Sequence, residues 1–339
     1  MSLTNHRWVL RHRPHGEIKP TDLDYVAEPV RDLAEGEVLI RNVYLSLDPT
    51  NRIWMSDMEQ YMPPVEIGSP MRGGTIGVVE ASRSAHFKPG DIASPGLGAW
   101  EAYTIAHETM ARPMAPPPGA PLTAMMSVLG LTGLTAYCGT VFIGDPKPGE
   151  TMVVSAAAGA VGSIAGQIGK LRGARVIGIA GGPKKCAWLT EELGFDGAID
   201  YKAGDVGAAL DRLCPNGVDV NFENVGGEIM DAVFSRMNKF GRMALCGMIS
   251  GYNSRETMPG PSDFGRILMR SLTVKGFIVI DYMPRFGEAI AELAPWVLQG
   301  RIKWKAHVVD GLENALSALN RLFTGDHDGK LLVRISPEP

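Results

Sequence analysis

Tyr252 lies in the glycine-containing stretch Cys246-Gly247-Met248-Ile249-Ser250-Gly251-Tyr252-Asn253 and is the side chain there best suited to carrying a proton to substrate. A phenol, with an ordinary pKa of about 10, donates a hydrogen bond at neutral pH and is a poor base. That suits it to stabilising an oxygen that becomes negative during a reaction. The competing reading is a tyrosine that packs its loop, with the hydroxyl bonded to backbone. A second chemical feature is Ala157-Ala158-Gly159-Ala160-Val161-Gly162, an A-x-G-x-x-G turn ending in Ser163. Such a turn brings backbone N–H groups and a helix N-terminus up to a pyrophosphate. About twenty residues beyond, where a site selective for NAD places an acid against the ribose 2′-hydroxyl, the chain reads Gly181-Gly182-Pro183-Lys184-Lys185. Cations replace the acid. Pro183 favours the first helical position, so both lysines fall in a first turn whose dipole disfavours positive charge. An anionic partner resolves that conflict, and a 2′-phosphate supplies one, so the pattern predicts NADPH.

Those residues need a particular scaffold. Val153 to Ser155 reads as a short buried strand running into the glycine turn. Gly162 to Arg172 then reads as a helix, with Ile164, Ile168 and Leu171 at helical spacing. Parallel strands are predicted at Thr151 to Ser155, Arg175 to Ile179, Gly197 to Asp200, Val218 to Glu223, Gly241 to Cys246 and Thr273 to Ile280, with helices between them, a pattern that fits a doubly wound α/β sheet. Glu223-Asn224-Val225-Gly226-Gly227 follows the fourth strand and the Cys246 to Asn253 loop follows the fifth. Ligands of open parallel sheets bind at those ends, where Asn224 and Ser250 offer hydrogen bonds to ribose or amide groups. Upstream, from about Thr4 to Thr109, the pattern is short strands and turns, followed by the proline-rich connector Ala115 to Pro121. After a helix near Ala289 to Leu298, the tail reads as a strand at His307 to Val309, a helix from Leu312 to Phe323 and a strand from Lys330 to Ile335.

The chain has 339 residues, 45% hydrophobic and 21% charged, with a formal net charge of -4. These values fit about two globular domains and leave no electrostatic footprint for nucleic acid or an anionic membrane. With no signal-like start and no long apolar run, the sequence predicts a soluble, cytoplasmic protein. Its 4 cysteines, Cys138, Cys186, Cys214 and Cys246, form no C-x-x-C pair, and its 7 histidines form no H-E-x-x-H element, so no metal is expected. The cysteines are expected to be reduced core residues.

Several of these stretches resemble a family, the zinc-independent medium-chain dehydrogenases/reductases of the prostaglandin reductase, alkenal double-bond reductase and curcumin reductase group. The likeness runs through Leu45-Ser46-Leu47-Asp48-Pro49, Met71-Arg72-Gly73-Gly74, Ala156 to Ser163, Asn224-Val225-Gly226-Gly227, Cys246-Gly247, Ile249-Ser250, Tyr252-Asn253 and Gly329-Lys330. It implies a GroES-like β-rich catalytic domain over residues 1–125, completed by the tail 305–339, a Rossmann NADP-binding domain over residues 126–304, and a cleft where they meet. It also implies NADPH-dependent reduction of the carbon–carbon double bond of α,β-unsaturated ketones and aldehydes.

Carried over by residue, the resemblance puts the pyrophosphate on Gly159, Ala160, Val161, Gly162 and Ser163, and the 2′-phosphate on Lys185 and Tyr201. Asn224, the loop with Cys246, Gly247, Ser250 and Tyr252, and Phe277, Ile278 and Val279 are placed along the ribose and nicotinamide. His327 stands where many members have an Asn at the last cofactor contact, and Thr50-Asn51 stands where they have Tyr-Met. The zinc-dependent relatives carry a Gly-His-Glu element, whereas Met71 to Val79 here holds no His or Cys. The expected reaction delivers hydride to the β-carbon of an enone, with Tyr252 and a ribose hydroxyl donating to the carbonyl oxygen. A homodimer is expected. The rival readings are an NADPH:quinone reductase and a non-catalytic NADPH-binding protein.

Overall fold

Every residue of Thr151–Val154 is buried, as a strand must be when helices cover both faces of a parallel sheet. In the computed structural model, which describes residues 3–254, 256 and 258–339, this strand lies at the centre of a 6-stranded parallel sheet. In chain order its strands are Thr151–Val154, Arg175–Ala180, Gly197–Asp200, Val218–Glu223, Met237–Leu245 and Thr273–Gly276. Their spatial order is third, second, first, fourth, fifth, sixth. The chain reverses direction across the sheet between the first and fourth strands, so a crevice for a ligand opens at their carboxyl ends. Helices Gly162–Leu171, Val206–Leu213 and Gly227–Phe234 are among the connections. Val153, Ile177, Ile199, Leu210, Val218 and Val233 fill the core on one face. This unit comprises Ser127–Lys305 and Asp328–Lys330.

The first and second strands end one residue from expectation, at Val154 and Ala180, and two others differ by more. The sixth ends at Gly276 instead of Ile280, because its partner ends at Leu245 and leaves no ladder beyond, and the chain turns into a 3-10 segment, Val279–Arg285. The fifth begins at Met237, ahead of Gly241. Its early half carries a register shift opposite Val218 and Val220, with Phe240 at a left-handed φ of 66° and exposed, which hides the strand from an apolar pattern.

The other unit contains residues up to Met126, Ala306–His327 and Leu331–Pro339. It is built on a 7-stranded sheet in which Glu37–Ser46 pairs antiparallel with Thr75–Ser82, with Tyr103–His107 and with the tail strand Lys330–Arg334. The expected tail helix begins as a 3-10 turn, Leu312–Asn314, and continues as Ala315–Thr324. The tail is part of this core: Leu316, Leu319 and Val333 pack with Trp8, Leu45 and Trp100, and the Trp8 indole N–H donates to Leu312 O at 2.8 Å. Among the described residues no helix is long and apolar enough to cross a membrane.

Candidate active site

The glycine turn takes its shape from three small residues. Ala157 occupies the place of the usual first glycine and donates its N–H to Ile179 O at 2.9 Å, while the left-handed backbone falls one residue earlier, on Ala156 (φ 47°). Gly162 has no space for a side chain, since a Cβ would come within 2.5 Å of Ala156 O and 2.9 Å of Ala157 Cα, both backbone atoms. The helix Gly162–Leu171 carries no side-chain N-cap. Ser163 N–H donates to Gly159 O at 3.1 Å, and among the described residues the Gly162 amide has no acceptor. An uncapped helix N-terminus with an open amide is an anion cradle.

At the end of the second strand, Gly182 (φ 94°) precedes the short helix Pro183–Ala187, with Pro183 in its first turn. Lys184 is 86% exposed and pairs with Asp328 at 3.0 Å. Burial alone would raise the Asp328 carboxyl, but the bond from Lys184 and the nearby charges of Lys185 and Lys305 bring it below its usual range. Tyr201 and Lys202 fold over Gly181, where a Cβ would lie 2.9 Å from the tyrosine ring and 3.0 Å from Lys202 Cε. The Asp200 carboxylate is taken up by Gly182 N–H (2.8 Å) and Lys202 N–H (3.0 Å). Lys202 is a cation of this corner that sequence reasoning passed over. Its signal was the short loop it shares with Tyr201.

The two loops predicted at the carboxyl ends of the fourth and fifth strands are knitted together. Cys246 and Gly247 N–H both donate to Glu223 O, Ile249 N–H to Asn224 O and Ser250 N–H to Val225 O. Asn224 and Ser250 were expected to offer donors to a ligand, yet both donate inward. Asn224 Nδ2 bonds Ser155 O at 2.7 Å and Ser250 Oγ bonds Val225 O at 2.6 Å. The turn Gly226–Gly227 needs glycine, with φ of 79° and 57°.

Beneath it sits Glu223, fully buried. Its Oε1 accepts from Ser155 Oγ (3.0 Å), Val225 N–H (2.7 Å) and Gly226 N–H (2.8 Å), and its Oε2 accepts from Asn221 Nδ2 (3.2 Å). Burial raises the carboxyl's pKa, and these four donors pull it back only in part. Sequence reasoning quoted Glu223 as the first residue of a loop and gave it no role.

Tyr252 follows a 3-10 turn, Ile249–Gly251. Its hydroxyl accepts from Met248 N–H at 3.0 Å, and a Cβ on Gly247 would lie 3.1 Å from that oxygen. Phe277 is buried, edge-on to Phe222 and to Tyr282. His327 belongs to the unit built on the 7-stranded sheet, with Nδ1 at 3.2 Å from Arg321 O. Cys138 and Cys214 are buried as expected, whereas Cys186 and Cys246 are only half-buried. Desolvation, with Glu223 close by, pushes the Cys246 thiol well above its usual range. Among the described residues no group of His, Cys, Asp and Glu is arranged to hold a metal ion.

An open helix N-terminus beside a glycine turn, a lysine-rich corner after the second strand and a backbone-lined loop pair fit a phosphorylated dinucleotide. A family model described as the N-terminal domain of oxidoreductase matches residues 6–114, and one described as zinc-binding dehydrogenase matches residues 160–295. The NADPH-dependent curcumin reductase of Escherichia coli is 42% identical over 337 residues, spanning 98% of this chain and 97% of that protein. An NADP-dependent 2-alkenal reductase of Nicotiana tabacum is 36% identical over 341 residues, 99% of each chain. The crystal structure of CurA from Vibrio vulnificus in complex with NADPH superposes with a TM-score of 0.93 at 42% identity, covering 98% of this chain and 100% of that one. The chain therefore belongs to the zinc-independent medium-chain dehydrogenases/reductases, in the group of the curcumin, alkenal and prostaglandin reductases.

Proposed function

We infer that this protein is an NADPH-dependent oxidoreductase that reduces the carbon–carbon double bond of α,β-unsaturated ketones and aldehydes, with Tyr252 at the substrate's carbonyl oxygen. The observation that carries the reading is end-to-end similarity, over 98% and 99% of the chain, to a curcumin reductase and a 2-alkenal reductase. NADPH, when bound, supplies the hydride that adds to the β-carbon. Gly159, Ala160, Val161, Gly162 and Ser163 hold its pyrophosphate, and Lys185 and Tyr201 its 2′-phosphate. Asn224, Cys246, Gly247, Ser250 and Phe277-Ile278-Val279 line its ribose and nicotinamide. Tyr252 donates its hydroxyl hydrogen to the oxygen on which enolate charge collects, and it or a water returns a proton to the α-carbon. The bond accepted from Met248 N–H polarises that hydroxyl and strengthens it as a donor. Four free thiols, with no disulfide among the described residues, fit a cytoplasmic setting.

The test is NADPH oxidation with a panel of enones and quinones, with identification of the product. A simple enone yields the saturated ketone and never the allylic alcohol, because hydride goes to carbon and not to the carbonyl. Activity survives chelation, and elemental analysis finds no stoichiometric zinc. The allylic alcohol would sink the double-bond reading, turnover of quinones alone would replace it with the quinone reductase, and no turnover at all would leave a binding protein.

The homodimer forms through the outer edge of the parallel sheet. The strand Thr273–Gly276 is exposed at all four positions, and an exposed edge strand is a template for another chain. Beside it Leu268 and Met269 are each 77% exposed, with Phe264 and Met283 also uncovered. Placing a charge there, Val274→Lys, gives a monomer by light scattering at concentrations where the parent is a dimer. A variant that stays dimeric moves the interface elsewhere.

A further inference from the structure

We propose that Glu223 is a positioning residue of this reductase, its carboxylate holding the Asn224–Gly227 turn in the shape that the nicotinamide end of the cofactor needs. The inference rests on the reading above that this turn lines the ribose and nicotinamide.

The argument starts from the place where the strand order reverses. The ends of the first and fourth strands flank the crevice, and one side chain ties them. Glu223 Oε1 gathers three donors, the Ser155 hydroxyl from the first strand's end and the Val225 and Gly226 amides from the turn. Ser155 completes a second loop of bonds, since its Oγ accepts Asn224 N–H at 2.8 Å and its carbonyl accepts Asn224 Nδ2 at 2.7 Å. Asn224 is thereby fixed in both backbone and side chain. Among the described residues the two turn amides are bound to this carboxylate and to nothing else. Without the carboxylate they would turn toward water or another acceptor, and Gly226 and Gly227, with no Cβ to restrain them, would let the turn change shape.

The two oxygens have unequal duties. Among the described residues Oε2 meets only Asn221 Nδ2, and Asn221 is fully buried with an Oδ1 that has no partner there. A glutamine at position 223 keeps the three-donor oxygen and points its amide at Asn221, whose side chain need only rotate by half a turn to accept from it. Geometry is preserved although the charge is lost. An aspartate is one methylene shorter and cannot reach Ser155 and both turn amides together.

The experiment measures NADPH dissociation constants by nicotinamide fluorescence, together with thermal unfolding and amide hydrogen exchange of the full-length protein. Glu223→Ala weakens NADPH binding by roughly 10- to 100-fold, raises the KM for NADPH by a similar factor and speeds exchange at Val225 and Gly226. Glu223→Gln stays within about threefold on both readouts. Where Glu223→Ala fails to fold, Glu223→Asp and Ser155→Ala report instead, with losses of about 3- to 10-fold. A folded Ala or Asp variant that binds NADPH as the parent does overturns the proposal, as does a Gln variant as impaired as Ala. Gly226→Val, which remodels the turn directly, separates the two levels. If it weakens NADPH while Glu223→Ala does not, positioning by Glu223 fails alone. If neither changes binding, the turn is not in the cofactor site.

Discussion

Replacing Tyr252 with Phe slows enone reduction about a hundredfold to a thousandfold, while the affinity for NADPH stays within about twofold. The substitution keeps the ring and removes one oxygen. That oxygen accepts from Met248 N–H, so the loop loses one backbone tether and keeps the others, Ile249 to Asn224 and Ser250 to Val225. The cofactor's surroundings therefore persist, and the deficit belongs to the step in which charge develops on the carbonyl oxygen. A water or ribose hydroxyl that takes over the donation would soften the loss to about tenfold. Stopped-flow measurement of a single turnover at saturating NADPH separates this step from product release. Parent-like turnover in the Phe variant would make Tyr252 a packing residue, which is the role its bond to Met248 serves by itself.

The parallel sheet was legible because its strands are buried on both faces and read as unbroken apolar runs, Val176 to Ile179 being the plainest. Legibility ended where an element depends on its neighbour. Nothing in Phe277-Ile278-Val279 says that the strand stops at Gly276, because the stop is set by Leu245 on the adjacent strand. The loops of the candidate site were legible as loops. Glycine spacing marks the tight turn before the helix Gly162–Leu171, and two glycine-bearing loops follow the fourth and fifth strands. Glu223 was not legible. A glutamate ending an apolar strand reads as the strand's solvent-facing terminus, and its bond to Ser155 spans 68 residues of sequence. The partner of Lys184 was hidden for the same reason, with Asp328 lying 144 residues away. Local pattern identifies residues that must meet backbone or bulk solvent, and it is silent about which charge closes on which donor across the chain.

Lys185→Ala raises the dissociation constant for NADPH about tenfold to a hundredfold and leaves that for NADH nearly unchanged. A charge-assisted contact to a phosphate contributes roughly 1.5 to 3 kcal/mol, and NADH has no 2′-phosphate to lose it. Lys184 is largely exposed and already paired with Asp328, so Lys184→Ala removes a charge that is mostly neutralised and changes NADPH binding by only about threefold. Lys185 is half-buried on the same short helix, beside the corner where Tyr201 and Lys202 fold over Gly181. The Asp200 carboxylate, at the end of the neighbouring strand, is taken up by the amides of Gly182 and Lys202. The NADPH loss in Lys185→Ala also shrinks as salt is raised, because screening weakens the contact in the parent before the mutation removes it. Titrations with both cofactors at low and high ionic strength check the set. Equal losses for NADPH and NADH would remove Lys185 from the 2′-phosphate, and a larger loss in Lys184→Ala would transfer that contact to its neighbour.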